Sequence, residues 1–412
     1  MSTFKKSIAI VTPWPPQTSG IADYAYELAS CMIGPSVAVH IITNERAPVA
    51  LPGAVIHHVD EILAGELNLA NFDAVLVQLG NHPNFHGYMQ DIIKGVPCIV
   101  ELHDLLLHHC VMGDEGMSTG GQRYYEWLAR FYGPAVEKQF RRFLAEDEDI
   151  LRCPIARDYP CSDVIVASAA HVIVHSEYAK RVLRQLGMKS NVSVLNLCQL
   201  PLDVSVPTSQ DCAGLRIGVF GGVQRNRQID AILSVLGRIE ARFEAWSLDV
   251  VGSVEADCEN LLEMPHTLGI GEKTRFHGRL ALGALETIMR QCDIVVSLRN
   301  PTMGETSGVV TRAMQMGIPV IVSDVGWYSE LPPCVLKIDN GHVHEELEKV
   351  LWKLLTDAAL REELALQTLD FASRRLDMRV AADDILLLAL HSCSSQCAGG
   401  SSEDIFDGSR AV

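Results

Sequence analysis

The sequence has no hydrophobic stretch of about 18 residues, no CxxC pair, and neither a GxxxxGK(S/T) loop nor a GxGxxG loop. The first absence argues against a transmembrane helix. The last two argue against P-loop and dinucleotide-binding chemistry. Basic residues are also in the minority, since 34 Lys and Arg stand against 51 Asp and Glu and give a net charge of −17. General attraction to nucleic acid or anionic membranes is therefore not expected, and an anionic ligand requires a local positive site.

The 12 cysteines are scattered and often lie within apolar runs, which is typical of reduced, buried thiols in cytosolic proteins. The N-terminus has two lysines but only a short apolar run ending at Pro13, which favours a first β-strand over a signal peptide. These features predict a cytoplasmic protein. Near the C-terminus, a zinc site at His391, Cys393 and Cys397 would lack a fourth ligand.

Short β-branched runs alternate with helical patterns in both halves of the chain. The strands predicted in the first half are residues 7–13, 37–43, 74–80, 97–103 and 171–176. Those predicted in the second half are residues 215–221, 247–252, a strand near 275–278, 293–299 and 318–323. Because apolar strands separated by helices form parallel sheets covered on both faces, we expect an α/β protein with two Rossmann-like domains.

A segment rich in Pro, Ser, Asp and Gly, residues 201–214, has the composition of a linker between domains. The predicted organisation is two domains, a final helix and a disordered tail, at residues 1–205, 206–375, 376–392 and 393–412. A charged insertion at 118–150 predicts one or two surface helices. Its mixture of aromatic and Arg residues is consistent with a surface facing an acceptor or a membrane, or with a solvated helix pair.

Ligands of open α/β sheets bind beyond the carboxyl ends of the strands, so the loops after strands are the candidate sites. Ser19 and Gly20 begin a helix whose exposed N–H groups can meet a ligand, and a plain βα turn is the alternative. His103 and Asp104 end another strand, with His108 one helical turn later. The interpretations here are a histidine for polar contact or proton handling, an Asp104–His108 metal pair, and a structural histidine.

Two glycines and two arginines follow the first strand of the second half. Gly221 and Gly222 come directly after the strand, and Arg225 and Arg227 lie at the start of the next helix. A diphosphate placed there would meet guanidinium donors and the positive end of the helix. This loop is a candidate diphosphate site.

The stretch "NPTMGETSGVVTRAMQMGIPVIVSDVG", residues 300–326, surrounds a single acid with small residues. Thr306 and Ser307 are good helix N-caps, and Gly317 ends the helix. With Gly308 in its first turn, this helix can present bare N–H groups to a phosphate. Glu305 can accept hydrogen bonds from sugar hydroxyls, so the stretch predicts a site for a phosphorylated polyol.

Several of these segments resemble, in the same order along the chain, the retaining nucleotide-sugar glycosyltransferases of family 4, which have the GT-B fold. The matching stretches are "PPQTSGIADYAYEL", "QLGNHPNFHGYM", "ELHDLLLHH", "FGGVQRNRQIDAIL" and "LRNPTMGETSGVVTRAMQMGIPVIVSDVGWYSELP". The resemblance implies two domains facing each other across a cleft, with the last helix crossing back to the N-terminal domain. It also implies transfer of a hexose from a UDP- or GDP-sugar to a saccharide or lipid-linked acceptor, without a metal or cofactor.

The resemblance assigns roles to individual residues of this chain. The catalytic residues would be His103, Arg227 and Glu305. The N-terminal domain would bind the acceptor, with residues Ser19, Gly20, Asn81, His103 and Asp104 on that side. The C-terminal domain would bind the nucleotide sugar through Gly221, Gly222, Arg225, Arg227, Arg299, Gly304, Glu305, Thr306, Ser307 and Gly308.

The sequence departs from the family pattern at two positions. Gln228 stands where relatives often have a second basic residue. Arg312 stands where most relatives have a second glutamate, which usually binds the ribose, and Ala313 is the residue eight positions after Glu305. A non-catalytic nucleotide-sugar-binding or partner subunit on the same scaffold is therefore the alternative, and a dehydrogenase is disfavoured by the missing GxGxxG loop.

Overall fold

The computed structural model describes residues 5–113, 121–146, 149–201 and 214–397. The chain divides into two compact units. Unit 1 comprises Met1–His175, Lys180–Leu195 and Arg379–Val412, and unit 2 comprises Ser176–Ala179 and Asn196–Met378, as far as these ranges are described. The predicted linker lies almost entirely outside the described residues, as do the side chains of the predicted zinc ligands Cys393 and Cys397 and most of the predicted disordered tail.

Unit 1 contains a seven-stranded parallel sheet. Its strands are β1 (Lys6–Val11), β2 (Val37–Thr43), β3 (Ala54–His58), β4 (Ala74–Leu79), β5 (Ile99–Leu102), β6 (His171–Val174) and β7 (Asn191–Val194). Their order is β3-β2-β1-β4-β5-β6-β7. Strands β4, β5 and β6 are buried along their whole length, as expected for the centre of a parallel sheet covered on both faces.

Short helices connect these strands. They are α1 (Gly20–Met32), α2 (Asp60–Leu63), α3 (Pro83–His86), α4 (Met89–Gly95), α5 (His108–Met112), α6 (Gly121–Tyr132), α7 (Pro134–Leu144), α8 (Ser162–Ile165) and α9 (Glu177–Gln185). Helix α1 buries residues three or four positions apart, including Ala25, Leu28 and Met32, which is the pattern of a helix with one face in a core. The predicted insertion forms α6 and α7, each with one buried face.

Unit 2 contains a second parallel sheet, of six strands. These are β8 (Leu215–Phe220), β9 (Trp246–Val251), β10 (Thr274–Gly278), β11 (Ile294–Ser297), β12 (Val320–Ser323) and β13 (Leu336–Ile338). Their order is β10-β9-β8-β11-β12-β13. The helices of unit 2 are α10 (Ile229–Glu240), α11 (Met264–Thr267), α12 (Leu282–Met289), α13 (Gly308–Gln315), α14 (Val343–Thr356) and α15 (Ala358–Arg375). The last helix, α16 (Met378–Cys397), begins at the end of unit 2 and belongs to unit 1 from Arg379 onward.

Apolar runs drive the formation of the second sheet and its covering helices. Residues Ile217 and Val219 of β8 pack in one cluster with Ile232 and Leu236 of α10 and with other strand and helix residues. A second cluster joins the strands to α13 through residues such as Val310 and Met314. Helices therefore cover the sheet, as the alternating sequence pattern predicts.

The predicted fold class, two Rossmann-like α/β domains, is confirmed. Three strands were not predicted, namely β3, β7 and β13. All three lie at sheet edges and are short and partly exposed, so they lack the continuous apolar run of a central strand. None of the helices in the described ranges has the length and apolar character that a membrane crossing requires.

Both sheets have a position where the strand order reverses direction. In unit 1 it lies between β1 and β4, and in unit 2 between β8 and β11. At such positions the loops at the carboxyl ends of the strands diverge and leave room for a ligand. The predicted site residues lie in or near these loops.

Candidate functional site

In unit 2, the loop after β8 holds an arginine against the backbone. Nη1 of Arg227 donates a hydrogen bond of 2.8 Å to the carbonyl oxygen of Phe220, the last residue of β8. Gly221 has a φ of +100°, and a Cβ at this position would lie 2.4 Å from Nη1 of Arg227. Glycine at position 221 thus provides both the backbone conformation and the space for this guanidinium.

The loop after β11 holds Glu305 by three hydrogen bonds. Its Oε1 accepts from Nε of Arg299 at 2.8 Å, and its Oε2 accepts from the backbone N–H of Met303 at 2.6 Å and from the hydroxyl of Thr302 at 3.2 Å. The side chains of Arg299 and Glu305 are only 5% and 15% exposed. The carboxylate is therefore fixed in position within a mostly buried loop.

The guanidinium of Arg227 is buried near one cation, Arg299, and two carboxylates, Glu305 and Glu255. The pKa of Arg227 is lowered to about 9, first by burial and then by the nearby Arg299, while Tyr328, Glu305 and Glu255 act in the opposite direction. Nε of Arg227 is buried without a hydrogen-bond partner among the described residues. Since the carboxylate of Glu305 is paired with Arg299, an anion bound beside Arg227 would be attracted to an unneutralised guanidinium.

Helix α13 begins at Gly308, three residues after Glu305. Ser307 is its N-cap, and the Ser307 hydroxyl accepts from the N–H of Val310. The helix ends before Gly317, whose φ is +67°. The carbonyl of Gly308 accepts from the side chain of Gln199 at 2.8 Å, which ties the first turn to the segment after β7. The N–H groups at this helix start carry the partial positive charge that favours an anion.

The other residues predicted to bind the nucleotide-sugar donor differ in their contacts with the loops that hold Arg227 and Glu305. Gly304, with a φ of +74°, forms the turn before Glu305 and donates its N–H to Thr302. Gly222 lies directly after Gly221, and Thr306 lies between Glu305 and Ser307. Within the described ranges, neither residue has a contact that distinguishes it. Arg225 is exposed and forms an ion pair with Asp257 at 2.5 Å, so its charge is already compensated.

Arg312 is buried and forms an ion pair with Glu286 of α12. Position 312 has an arginine where most members of the resembled family have a glutamate, and the sequence gave no indication of its partner acid. The structure supplies a carboxylate from a different helix. Gln228, the other departure, is nearly buried in the left-handed conformation and donates to Asn340.

In unit 1, Asn81 and Asp104 follow β4 and β5 and contact each other. The N–H of Asn81 donates to Oδ2 of Asp104 at 2.8 Å. The side-chain oxygen of Asn81 accepts from the N–H groups of His109 and Cys110 at the start of α5. Ser19 caps α1 by accepting from the N–H of Ile21. These residues stabilise loops and helix starts at one edge of the sheet.

His108 is a structural histidine. Its Nδ1 hydrogen bonds with the hydroxyl of Tyr124 at 2.8 Å, and its Nε2 with the carbonyl of Ala156 at 3.2 Å. With both ring nitrogens engaged, the residue offers no lone pair to a metal, so the interpretation of Asp104 and His108 as a metal pair is wrong.

His103 belongs to a buried polar group that the sequence analysis did not identify. Its ring packs 5.0 Å from that of Tyr24 and 4.9 Å from that of His175. The hydroxyl of Tyr24 donates to Glu101 at 2.6 Å, and the amide of Gln78 donates to the same carboxylate at 2.9 Å. In the sequence, this group could have been recognised from Glu101, an acid inside the apolar strand β5, and from His175, a histidine at the end of the neighbouring strand β6.

Comparison with known proteins agrees with these observations. Residues 214–357 match the family model described as "Glycosyl transferases group 1". The D-inositol 3-phosphate glycosyltransferase of Stackebrandtia nassauensis is 30% identical over 186 residues, which cover 42% of this chain and 40% of that protein. The chain thus matches less than half the length of this curated relative.

Solved structures share the fold along nearly the whole chain. HepE of Anabaena in complex with UDP aligns with 94% of this chain and 100% of its own, with a TM-score of 0.61 and 15% identity. The sucrose-phosphate synthase of Thermosynechococcus elongatus aligns with 96% and 100%, with a TM-score of 0.65 and 14% identity. At these identities the likeness concerns the fold.

Proposed function

We propose that this protein is a retaining glycosyltransferase that moves a hexose from a UDP- or GDP-sugar to a hydroxyl of a saccharide or lipid-linked acceptor. The observation that carries the proposal is the site of unit 2 where the buried guanidinium of Arg227, with an unpartnered Nε among the described residues, lies near Arg299, whose own charge is paired with Glu305. The glycosyltransferase family model covers this same region. The complex of HepE with UDP supports a nucleotide-sugar donor.

The diphosphate of the donor is the anion that suits this site. Nε of Arg227 keeps a free N–H directed into a buried environment, and the start of α13 adds backbone N–H groups at the neighbouring loop. Charge-assisted hydrogen bonds to phosphate are among the strongest in proteins. The site lies at the strand-order reversal between β8 and β11, where ligands of such sheets bind.

Glu305 would orient the sugar. A carboxylate has about four acceptor positions, and three of those of Glu305 are occupied by Arg299, Thr302 and Met303. One position remains for a sugar hydroxyl. Because the three internal bonds fix the carboxylate, this contact would require little further ordering on binding.

The reaction breaks the bond between the sugar C1 and the diphosphate oxygen, and negative charge grows on the leaving diphosphate. Arg227 and the start of α13 would stabilise this charge, and the loss of one such interaction typically lowers kcat by about 10²–10³-fold. The sequence around Glu305 offers no second acid at a spacing that would suit a protein nucleophile. The acceptor hydroxyl would therefore attack from the face that the diphosphate leaves, so that the configuration at C1 is retained.

The test is release of UDP or GDP from a panel of nucleotide sugars, with and without acceptors. We expect release by the wild type and a loss of about 10²-fold or more in Arg227→Ala. Glu305→Gln should lower the rate and change the preference among donor sugars. The matched control is Arg238→Ala, since Arg238 is an exposed arginine of α10 that pairs with Glu348.

The alternative of a non-catalytic binding subunit predicts a different outcome. It is favoured by Arg312, which stands where most relatives have a glutamate and which pairs with Glu286. Under this alternative, nucleotide sugars bind and Arg227→Ala weakens binding, but no acceptor induces release. If neither binding nor release occurs with any nucleotide sugar, both functions are wrong.

A further inference from the structure

Tyr328 is completely buried next to the loop that carries the candidate sugar-binding carboxylate. It lies in a short 3₁₀ turn, Gly326–Glu330, that follows β12. Gly326 has a φ of +53°, and a Cβ at this position would lie 3.0 Å from the hydroxyl oxygen of Thr302. Because Thr302 is hydrogen-bonded to Glu305, the turn approaches the loop that holds this carboxylate as closely as a glycine allows.

The ring of Tyr328 is held in place by its neighbours. The guanidinium carbon of Arg299 lies 5.8 Å from the centre of the ring, which is within the range of a cation–π interaction. The backbone N–H of Tyr328 donates to the carbonyl of Val325 at 3.0 Å. The side chain belongs to the same apolar cluster as Val310 and Met314 of α13. The hydroxyl at the end of the ring therefore has a fixed position.

This hydroxyl is an unused hydrogen-bond donor. It is buried and has no hydrogen-bond partner among the described residues. Burial is the main cause that raises the pKa of Tyr328, so the proton stays on the oxygen at neutral pH. A buried hydroxyl without a partner destabilises a protein, and phenylalanine would fill nearly the same space without this cost. The tyrosine thus points to a partner that becomes available when a ligand binds.

The groups around the hydroxyl are those of the candidate diphosphate site. Arg299, Glu305 and Arg227 are its charged neighbours, and the side chain of Ser307 lies close to it without the geometry of a hydrogen bond. Ser307 caps α13 by accepting from the N–H of Val310 at 3.4 Å, which is long for such a bond. Since the serine accepts in this bond, its own proton is available. The serine can therefore accept from the tyrosine and donate to an anion at the helix start.

We propose that Tyr328 is a positioning residue of the diphosphate site and that it acts through Ser307. When the diphosphate is bound, the Tyr328 hydroxyl donates to the oxygen of Ser307, and the Ser307 hydroxyl donates to a phosphate oxygen. Hydrogen bonds in such a chain polarise and strengthen one another. The inference rests on the proposed function, because it takes the start of α13 as the place where the phosphates bind.

The experiment compares nucleotide binding and stability in the full-length protein. Binding of UDP and of GDP is measured by titration calorimetry, and the melting temperature is measured without ligand. Tyr328→Phe should weaken nucleotide binding by about 3–10-fold, as the loss of one hydrogen bond does. Its melting temperature should equal or exceed that of the wild type, because only an unpaired hydroxyl is removed. A merely structural tyrosine would show the opposite pattern.

Tyr124→Phe is the matched control. Tyr124 is also completely buried, but its hydroxyl forms a hydrogen bond of 2.8 Å with His108. This variant should have a lower melting temperature and unchanged affinity for UDP and GDP.

A double variant shows whether Tyr328 acts through Ser307. Ser307→Ala should weaken nucleotide binding at least as much as Tyr328→Phe does. In the Ser307→Ala background, Tyr328→Phe should cause no further loss, because the chain of hydrogen bonds is already broken.

Two results would overturn the inference and leave the proposed function intact. One is equal nucleotide affinity in Tyr328→Phe and in a wild type that binds UDP or GDP. The other is the same loss from Tyr328→Phe with and without Ser307→Ala. If the wild type binds neither nucleotide, the proposed function is wrong and the inference fails with it.

Discussion

Replacing Gly221 by alanine tests how the loop after β8 holds the arginine that would bind the diphosphate. The φ of +100° at Gly221 costs an alanine about 1–2 kcal/mol. The added Cβ would also lie 2.4 Å from Nη1 of Arg227, whereas ordinary contacts begin at 3.4 Å. The guanidinium must therefore move by about 1 Å, and its hydrogen bond to Phe220 is lost at a further cost of about 0.5–1.5 kcal/mol.

The expected loss in the free energy of unfolding is about 2–3 kcal/mol, which corresponds to a fall of roughly 4–12 °C in the melting temperature. Urea unfolding of the variant measures it. The neighbouring glycine is the matched control, because a Cβ at Gly222 has no atom closer than 3.7 Å. Gly222→Ala should change the stability by less than about 0.5 kcal/mol.

A double-mutant cycle isolates the contribution of the arginine. In an Arg227→Ala background the added Cβ no longer meets the guanidinium. Gly221→Ala should then lower the free energy of unfolding only by the backbone strain of about 1–2 kcal/mol. Binding of UDP should fall in Gly221→Ala nearly as far as in Arg227→Ala, with no further loss in the double variant. Equal costs of Gly221→Ala in both backgrounds, together with unchanged UDP binding, would refute the reasoning.

Two other predictions follow from buried charges. Arg312→Leu leaves Glu286 without its partner and should cost about 3–5 kcal/mol, most of which Glu286→Leu should restore in the double variant; a cost below about 1 kcal/mol in urea unfolding would contradict this. Burial lowers the pKa of His86 to about 3 from 6.5, so the unfolded chain binds more protons between these values and stability falls as the pH drops below 6.5. The slope approaches about 1.4 kcal/mol per pH unit between about pH 4 and pH 5.5, and urea unfolding over that range should show a slope smaller by about this amount in His86→Gln.

Much of the C-terminal site was predictable because its signals are local. A small residue after a strand, a hydroxyl residue before a helix and a glycine after it act within a few residues of chain. Ser307 and Gly317 therefore mark the two ends of α13 as predicted. Glu305 and Arg299 are also close in sequence, although only the coordinates showed that the carboxylate of Glu305 accepts a hydrogen bond from Arg299.

Contacts between distant segments were not predictable from a single sequence. Glu286 and Arg312 are on different helices, and Arg225 and Asp257 follow different strands. The same residue type therefore has different roles at positions 225 and 227, because only Arg227 folds back onto the end of β8. Likewise, His108 and His103 are close in the chain, but only His108 has both ring nitrogens engaged.

The sequence alone determined the alternation of strands and helices, the two-domain α/β class and the positions of the loops at the carboxyl ends of the strands. These follow from periodicity and from the turn chemistry of neighbouring residues. The tertiary structure decided which charges are paired, which ring nitrogens are free and that Glu101, His103 and His175 meet at one point. The physical reason is that charge balance and hydrogen-bond satisfaction depend on distances across the sheet, which the order of residues along the chain does not specify.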